Sequence, residues 1–362
     1  MSSSASRDQP APIPSGMTGG HDAAEGVLGA DSPGLPARLA AFISGRVGAP
    51  VTVSELTRIS SVGNAREPWS FSATWAGRTI RCVMLVKAAA GQLETTLAPE
   101  FLTIAGLAGS GVPLAPALWM DESGDAIGSP FFVTEWVPGT ADTRPLRRSE
   151  PAAALRQVAL DLAVAAAALH RVDPTPFTHL PQTIPGTAAT DQLAYWGDLF
   201  ERQRMEPHPA LVLALRWLAE RAPTAKRVSV VHGDLRFGNL LYDEGRLTAL
   251  LDWEMTHLGD PIEDLGWVYR ELWTGRRALP FEEFLAAYVA AGGGPVDPEH
   301  LRWYQVFNEV KHSVISLTGT RSFADRATTS LRHADRAATI VPFVARILDL
   351  LAEAPHRESG TL

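Results

Sequence analysis

The chain has 362 residues, of which 46% are apolar and 20% charged, enough apolar material for two packed lobes. Its formal charge of −8 at pH 7 excludes the basic surface on which nucleic-acid-binding proteins depend. The single cysteine excludes an intramolecular disulfide or a Cys-rich zinc site, and no apolar run reaches 18 residues, so we expect a cytoplasmic protein that spans no membrane.

The first 34 residues are rich in Ser, Gly, Pro and Ala and contain no aromatic side chain. Burial cannot offset the entropy lost on ordering such a segment, so we predict a flexible tail over residues 1–34. Residues 35–138 mix helical and strand patterns and predict a small N-terminal lobe. Its predicted helices begin at Leu35 and span Thr96–Ala108, and its predicted strands are Leu56–Ser61, Ser70–Trp75, Thr79–Lys87 and Phe131–Val137.

The turn signal Val137-Pro138-Gly139 ends the last of these strands, and we place the lobe boundary there. Residues 139–362 are predicted to form a larger, mainly helical C-terminal lobe. Its predicted helices lie in the Ala- and Leu-rich stretch after Pro151 and over residues 188–205, 208–221, 281–292, 297–317 and 329–353. The predicted fold class is therefore α+β, with the sheet in the N-terminal lobe.

One β element, RVSVVHGDLRFGNLLYDEGRLTALLDWE, interrupts the helices of the C-terminal lobe. Its first strand, Val228–Val231, leads into His232 and Asp234, and Asn239 follows after the spacer LRFG. The catalytic loop of protein kinases has the form H-R-D-x-x-x-x-N, with a metal-binding aspartate further along the chain. The three polar residues keep the spacing of that loop.

The next two strands are predicted to form a hairpin over Leu240–Tyr242 and Leu247–Leu251. In an antiparallel hairpin, the residue before the first strand and the residue after the second meet at the open end. We therefore expect Asn239 and Asp252 to converge, with Asp234 on the adjoining loop.

These three side chains suit phosphoryl transfer. Mg²⁺ takes oxygen ligands, and the Asn239 amide oxygen with the Asp252 carboxylate leaves positions for phosphate oxygens and water. The Asp234 carboxylate, kept off the metal, can accept a hydroxyl proton and orient the nucleophile for in-line attack.

With Gly in place of Arg, the form H-G-D-x-x-x-x-N followed by D-W-E resembles the aminoglycoside phosphotransferase and choline kinase-like family of phosphotransferase enzymes. The continuation GDPIEDLGW at 259–267 strengthens the resemblance. It implies a bilobal, protein-kinase-like fold that moves the γ-phosphate of ATP, with Mg²⁺, to a hydroxyl of a small molecule. By this resemblance Asp234 is the catalytic base, and Asn239 and Asp252 are the Mg²⁺ ligands.

The resemblance also implies supporting residues. Asp264, on the following helix, is expected to brace the catalytic loop through hydrogen bonds. Considered by itself, His232 is interpreted as an architectural residue under that loop, with a ligand role as the alternative. Asp260 is expected to cap the helix ahead of Pro261. Glu254 is expected either to touch the metal or to face solvent.

In the N-terminal lobe the resemblance nominates Lys87 and Glu100 for nucleotide binding. In the family, a basic residue on the third strand grips the ATP phosphates and pairs with a glutamate on the following helix. Family members often carry that residue one position earlier, where this chain has Val86. A solvated lysine at the strand end therefore stays the alternative for Lys87, and Arg81 shares its strand face.

Two further nucleotide contacts are implied. The stretch PFFVTEWVPG resembles the family's hinge between the lobes, where the backbone at Glu135 and Val137 is expected to hydrogen-bond adenine. The segment Ser61–Arg66, with one glycine, stands where protein kinases have a glycine-rich phosphate loop.

The acceptor is expected to be a small molecule with a hydroxyl group. The C-terminal lobe, which is expected to bind it, is rich in arginine, which favours an anionic acceptor over a polycationic aminoglycoside. The alternative is that these arginines are solvated surface charges. The form LDWEMTHLGDP resembles kinase-like domains fused to acyl-CoA dehydrogenases, which suggests a hydroxyacyl compound. Lys311 and His312, on a late helix, are expected at the surface, with a position facing the acceptor as the alternative. The arginines are Arg270, Arg276, Arg277, Arg302, Arg321 and Arg326.

Two other functions stay open at the level of sequence. The same fold can transfer AMP instead of phosphate, or can serve as a nucleotide-binding pseudokinase in a regulatory role. Retention of Asp234, Asn239 and Asp252 argues against the pseudokinase, because a scaffold does not need all three. The products distinguish the three functions, because phosphate transfer yields ADP, AMP transfer yields pyrophosphate and a pseudokinase yields neither.

Overall fold

The structure, a computed structural model, describes residues 34–59, 66–87, 96–145, 153–269, 279–329 and 331–353. The predicted tail lies outside these residues except for Gly34, as do most of the segment Ser61–Arg66 and the arginines at 270, 276 and 277. The elements in chain order are α1 (Leu35–Val47), β1 (Thr52–Arg58), β2 (Arg66–Trp75), β3 (Arg78–Lys87), α2 (Ala98–Gly106), β4 (Ala117–Asp121), β5 (Phe131–Glu135), α3 (Ala153–His170), α4 (Ala188–Gln203), α5 (Pro209–Glu220), β6 (Ser229–Val231), β7 (Leu240–Asp243), β8 (Arg246–Leu250), a 3₁₀ turn (Trp253–Met255), β9 (His257–Gly259), α6 (Ile262–Val268), α7 (Phe281–Ala290), α8 (Pro298–Ala324) and α9 (Leu331–Ala352).

The N-terminal lobe is built on an antiparallel sheet with the strand order β1-β2-β3-β5-β4. Strands β2 and β3 are joined by Ala76 and Gly77, both at positive φ (47° and 76°), which is the backbone of a two-residue hairpin whose twist matches its strands. Because strand side chains alternate, each strand presents one face to α1 and the other to the cleft between the lobes.

The α1 face of the sheet forms its own small hydrophobic cluster. Leu39 and Ile43 of α1 pack on Trp69 of β2 and Met84 of β3, all fully buried. Cys82 belongs to the same cluster, where burial, with a smaller effect of Glu135, raises the pKa of its thiol to about 12. The one cysteine is therefore a packing residue and not a reactive thiol.

The C-terminal lobe packs helices around a larger hydrophobic cluster. Helix α3 runs through this cluster, and α8, 27 residues long, is buried along most of its length. By length and composition α3 is apolar enough to cross a membrane, yet 61% of its 18 residues are buried inside the protein, as in the core helix of a folded lobe. The predicted α+β fold, with an antiparallel sheet followed by a mainly helical region, is confirmed.

Two small β pairs cross this helical lobe and carry the motif residues. The hairpin β7–β8 was predicted, and its register pairs Leu240 with Leu250. The pair β6–β9 was not predicted, because β9 has three residues and its partner lies 26 residues earlier, with Val231 opposite His257. Strand β4 was also missed, since prolines at 113 and 116 precede it and obscure a strand pattern.

Candidate active site

The catalytic loop is held by a buried carboxylate. Asp264, in the first turn of α6, has a fully buried side chain that accepts hydrogen bonds from the backbone N–H of His232 (2.8 Å) and of Gly233 (2.9 Å). The ring Nε2 of His170 lies 3.0 Å from the same carboxylate. Burial by itself raises the pKa of Asp264, but these hydrogen bonds and the nearby histidines outweigh it and hold the pKa below its ordinary value. An ionised Asp264 thus fixes two consecutive peptide groups of the loop.

Gly233 explains why this loop has H-G-D and not H-R-D. Its φ is +81°, in the left-handed region, and a Cβ at this position would lie 2.4 Å from the backbone oxygen of Met255. No other residue fits without a shift of the backbone. The Gly233 carbonyl oxygen in turn accepts a hydrogen bond of 2.6 Å from Nζ of Lys311.

Lys311 lies inside the protein, so the expectation of a surface position was wrong. Its side chain is 1% exposed, and Nζ forms an ion pair of 2.7 Å with Oε1 of Glu263, which is equally buried. The second Glu263 oxygen lies 3.1 Å from Nε2 of His257. Burial raises the pKa of Glu263, but Lys311 and His257 together lower it to about 2. A chain of charges therefore runs from α8 through α6 to the catalytic loop.

His232 joins the loop that carries Asp234 to the β7–β8 hairpin. Its ring is fully buried beside Trp253, with 4.6 Å between ring centroids. Nδ1 accepts the N–H of Asp234 at 3.3 Å, so Nε2 carries the proton and donates to the Leu251 carbonyl at 3.0 Å. Leu251 directly precedes Asp252, and the histidine thus sets the distance between the two aspartates.

The carboxylate of Asp234 is oriented from several sides. Asn239 donates from Nδ2 to Oδ2 (2.7 Å), Trp267 donates from Nε1 to Oδ1 (2.6 Å), and Arg236 contacts both oxygens through Nε at 3.0–3.1 Å. His312 stacks on Trp267, and its Nε2 lies 3.8 Å from Oδ1. Burial raises the pKa of Asp234, but Arg236, His312 and Trp267 hold it below its ordinary value. The carboxylate is ionised and fixed in direction, as a proton acceptor must be.

Asp252 and Asn239 meet at the open end of the hairpin. The N–H of Leu251 donates to the Asn239 carbonyl at 2.9 Å, which places Asp252 beside Asn239. Asp252 has a φ of +68°, a left-handed conformation that a non-glycine residue adopts at a cost of about 1 kcal/mol or more. Burial and the neighbouring Asp234 raise its pKa. Two carboxylates kept close together in this way repel each other unless a cation lies between them.

The donor set fits Mg²⁺ that arrives with a nucleotide. The Asn239 amide nitrogen is engaged by Asp234, so its amide oxygen is the atom left to ligate a metal, next to the Asp252 carboxylate. Among the described residues, no group of three or more His, Cys, Asp or Glu side chains could hold a metal by itself. Two protein oxygens with phosphate and water completing the shell is the usual pattern for Mg²⁺.

The N-terminal lobe departs from the predicted pairing. Lys87 lies at the exposed end of β3, and Glu100, 4% exposed, pairs with Arg66 of β2 instead. Arg66 contacts Oε2 of Glu100 through Nε (3.0 Å) and Nη2 (2.9 Å). Its Nη1 lies 3.8 Å from Oε2 of Glu254, whose side chain is 17% exposed and therefore does not face bulk solvent. The predicted Lys87–Glu100 pair is therefore corrected to Arg66–Glu100. Arg66 stands directly opposite Lys87 on the neighbouring strand, and it is the Arg66 guanidinium that contacts the Glu100 carboxylate.

The predicted hinge is tied to both lobes. The N–H of Glu135 donates to Pro116 and that of Trp136 to the Arg81 carbonyl, while the Arg81 guanidinium stacks 3.7 Å over the Trp136 ring. Two residues after Pro138, Thr140 exchanges both backbone hydrogen bonds with Tyr242 of β7. The chain just after Pro138 thus pairs with strand β7 of the β7–β8 hairpin.

Several residues at this site were not predicted for it from the sequence. Trp267 belongs to the quoted motif, but its indole gave no sign that it would donate to Asp234 and not merely pack. A signal was available for Lys311, since a lone lysine among apolar residues of a long helix is either paired or functional. No local signal identified Arg236 or Arg66, because their partners lie on other elements or depend on the path of a loop. His312 lies beside Asp234 and not at the surface, where it was expected.

The chain matches the model of a known protein family over the region that contains the site. The model of the phosphotransferase enzyme family matches residues 66–304, more than half of the chain. The chain belongs to this family. The resemblance stated from the H-G-D-x-x-x-x-N and D-W-E motifs is confirmed, as is the expectation of a phosphotransferase enzyme.

Solved structures with the same fold are phosphotransferases. A candidate aminoglycoside phosphotransferase from Ralstonia eutropha is 22% identical, with a TM-score of 0.68 over 88% of this chain and 99% of that one. A thermostable mutant of aminoglycoside phosphotransferase APH(4)-Ia, in ternary complex with AMP-PNP and hygromycin B, is 18% identical, with a TM-score of 0.58 over 87% and 99%. Macrolide 2'-phosphotransferase MphH from Brachybacterium faecium is 21% identical, with a TM-score of 0.52 over 87% and 98%. At these identities the likeness shows the fold alone.

Curated relatives of the phosphotransferase are longer proteins. Mouse acyl-CoA dehydrogenase family member 10 is 29% identical over 177 residues, which is 46% of this chain and 16% of the relative. Mouse acyl-CoA dehydrogenase family member 11 is 27% identical over 172 residues, 46% of this chain and 22% of the relative. The chain therefore matches less than a quarter of the length of these relatives.

The buried Lys311 yields a stability prediction. Lys311→Met keeps most of the side-chain length but leaves the buried Glu263 carboxylate without its lysine, with the His257 ring as the remaining partner. Removing one partner of a buried ion pair costs about 3–5 kcal/mol, and we expect a loss of that size in the free energy of unfolding at pH 7, measured by urea denaturation. Lys226→Met, at an exposed position, is the control and should change it by less than about 0.5 kcal/mol.

The pH dependence separates charge from packing in that experiment. The pKa of Glu263 is lowered from 4.5 to about 2, so the ion pair stabilises the native protein above pH 4.5 and the contribution is lost as the pH falls towards 2. The stability difference between wild type and Lys311→Met should shrink across that window. A difference that stays constant from pH 7 to pH 3 would assign the effect to packing.

Proposed function

We propose that this phosphotransferase moves the γ-phosphate of ATP to a hydroxyl group of a small, negatively charged molecule. The observation that carries the proposal is the fixed group of Asp234, Asn239 and Asp252, with Asp264 bonded to the backbone beneath it. A base, two metal ligands and a rigid loop are the parts that phosphoryl transfer requires of a protein.

The proposed reaction transfers one phosphoryl group and one proton. The acceptor oxygen forms a bond to the γ-phosphorus, the bond from that phosphorus to the β–γ bridging oxygen breaks, and ADP leaves. The hydroxyl proton passes to the Asp234 carboxylate, which Trp267 and Asn239 keep pointed at the acceptor. Asn239 and Asp252 would hold Mg²⁺, which, when bound, neutralises charge on the phosphates.

The adenine is proposed to bind at the segment between the lobes. The N–H groups of Glu135 and Trp136 are engaged by the protein, and the next N–H along the chain is that of Val137. The Val137 N–H and the Glu135 carbonyl are therefore the proposed contacts to adenine. The lobe boundary after Pro138 belongs to the same proposal, with residues 35–138 as the nucleotide-binding lobe and 139–362 as the acceptor-binding lobe.

The acceptor is proposed to carry its own negative charge, as in a hydroxyacyl compound. Arg236 and His312 lie against Asp234. Arg336 of α9 lies near both Asp234 and Arg236. Burial and the Arg236 charge lower the pKa of Arg336, and the Asp234 charge opposes them. Arg321, in contrast, pairs with Asp325 at the surface. The side chains near Asp234 that support the proposal therefore differ from the arginines on which the sequence-based expectation rested. The acyl-CoA names of the curated relatives favour an acyl compound.

The catalytic base has a direct test. Asp234→Asn should reduce turnover by about 10²–10⁴-fold and leave Mg-ATP affinity within a few-fold, because the side chain handles the acceptor and not the nucleotide. The measurement is ADP release with an accepted substrate, together with calorimetry of Mg-ATP binding. Asp243→Asn, at the exposed tip of the hairpin, is the control. Near-wild-type turnover would remove Asp234 from the mechanism, while pyrophosphate or no product from wild type would favour AMP transfer or a pseudokinase.

The metal site has a different signature. Asp252→Asn keeps a residue that tolerates the left-handed backbone but removes the charged ligand. Both turnover and the Mg²⁺-dependent part of ATP binding should be lost, since the metal joins the protein to the phosphates. Calorimetry of ATP binding with and without Mg²⁺ checks this, and a full Mg²⁺ response in the variant would exclude Asp252 as the ligand.

The acceptor proposal is tested by comparing a hydroxy acid with its neutral amide. The acid should be phosphorylated and the amide should lose about tenfold or more in kcat/KM, with the difference reduced at high salt. Arg336→Gln should raise KM for the acid by about tenfold and leave KM for ATP within twofold, whereas Arg321→Gln should change neither. Phosphorylation of a kanamycin-type polycation with kcat/KM above about 10⁴ M⁻¹s⁻¹ would contradict the anionic acceptor and leave the kinase chemistry standing.

A further inference from the structure

One cation near the Asp252 end of the hairpin comes from a strand on which none was expected. Val86, at the position where a basic residue was expected, is 2% exposed and packs on the α1 face of the sheet. Its side chain therefore points away from the cleft. Lys87 does lie on the cleft face, but at the exposed end of β3. A third cation, Arg66, stands on the neighbouring strand directly opposite Lys87.

Arg66 and Lys87 share a face of the sheet, because residues directly opposite each other on paired strands point to the same side. They differ in what surrounds them. The Arg66 side chain is 9% exposed and bound through two nitrogens to the buried Glu100. A guanidinium held in this way is fixed in direction before any ligand arrives, whereas an exposed lysine must be ordered on binding.

The environment of Arg66 joins three elements. Arg66 is the first residue of β2, and its partner Glu100 lies on α2. The Nη1 atom of Arg66 faces Glu254, in the 3₁₀ turn that starts one residue after Asp252. The 3.8 Å contact to Glu254 is too long for a hydrogen bond, so a phosphate oxygen can replace it. Acidic side chains from α2 and from the turn converge here, and Arg66 is the positive charge placed among them.

We propose that Arg66 is the phosphate-binding cation of the N-terminal lobe and that Glu100 is the residue that positions it. This inference rests on the proposed use of ATP. A planar guanidinium presents several donors, so two can be held by Glu100 while another side of the group meets phosphate oxygens. Strand β2 in this chain takes the role that the resemblance assigned to β3, and Lys87 is left as a solvated residue at the rim.

The test compares three cations by nucleotide binding in the absence of acceptor. Isothermal titration of the full chain with Mg-ATP and with adenosine is measured for Arg66→Met, Lys87→Met and Arg58→Met. Arg58, half exposed and paired with Glu67 at 3.3 Å near the end of β1, is the matched control. Arg66→Met should weaken Mg-ATP binding by about 10- to 100-fold, the effect of losing a charged hydrogen bond, and leave adenosine binding within about twofold. Lys87→Met and Arg58→Met should stay within about threefold for both ligands.

Two further variants separate binding from folding. Arg66→Lys keeps a positive charge but loses the planar guanidinium with its several donors. It should weaken Mg-ATP binding by about tenfold, while the apo protein keeps its Tm within a few degrees. Glu100→Gln should weaken Mg-ATP binding, and the double variant Arg66→Met with Glu100→Gln should be no weaker than Arg66→Met, because the glutamate acts through the arginine.

The outcomes that overturn the assignment are distinct. A larger loss for Lys87→Met than for Arg66→Met would return the role to β3. Equal losses for Mg-ATP and adenosine would make Arg66 a brace between elements and not a phosphate ligand. Wild-type protein that binds Mg-ATP but phosphorylates no acceptor would sink the proposed phosphotransfer and leave the Arg66 assignment intact, whereas absence of Mg-ATP binding in wild type would overturn both.

Discussion

The active site depends on one buried anion, the carboxylate of Asp264. It lies inside the C-terminal lobe with no exposed atoms and still carries charge, because two backbone N–H groups and His170 point at it. A buried charge is tolerated only when its partners are complete, so the loop cannot move without leaving that charge unpaired. The penalty for disorder in the loop is therefore much larger than that of one lost hydrogen bond. Asp234 inherits its fixed position from this constraint.

The opposite side of the loop is anchored in the same manner. Lys311 bonds the Gly233 carbonyl and the Glu263 carboxylate, so α6 supplies one anion to the loop backbone and another to the lysine that holds it. Both anions come from the run GDPIEDLGW, at neighbouring positions in the first turn of α6. One short helix thus fixes both faces of the loop that carries Asp234 and, through Trp267, orients the Asp234 carboxylate.

The site concentrates negative charge that the fold alone does not need. Asp252 sits in a left-handed backbone conformation and near Asp234, while burial and the Asp252 charge raise the pKa of Glu254 to about 8. Burial and the Asp252 charge likewise raise the pKa of Glu100, and they outweigh the lowering effect of Arg66 so that this pKa is about 7. Strain and repulsion gathered at one place are typical of a binding site whose ligand brings the compensating charge. The arginines around this region limit the repulsion in the unliganded protein.

The sequence by itself determined the parts of the site that lie close together along the chain. The spacing of Asp234 and Asn239, the hairpin that returns to Asp252 and the helix that carries Asp264 were all predicted, because turn geometry and strand periodicity act over a few residues. The α+β fold class followed from the same local patterns, apart from the short strands β4 and β9. Only the tertiary structure decided which distant residues meet. Arg66 and not Lys87 pairs with Glu100, and Lys311 is buried instead of exposed, because a charged side chain is placed by partners on other elements, and no local pattern encodes those partners.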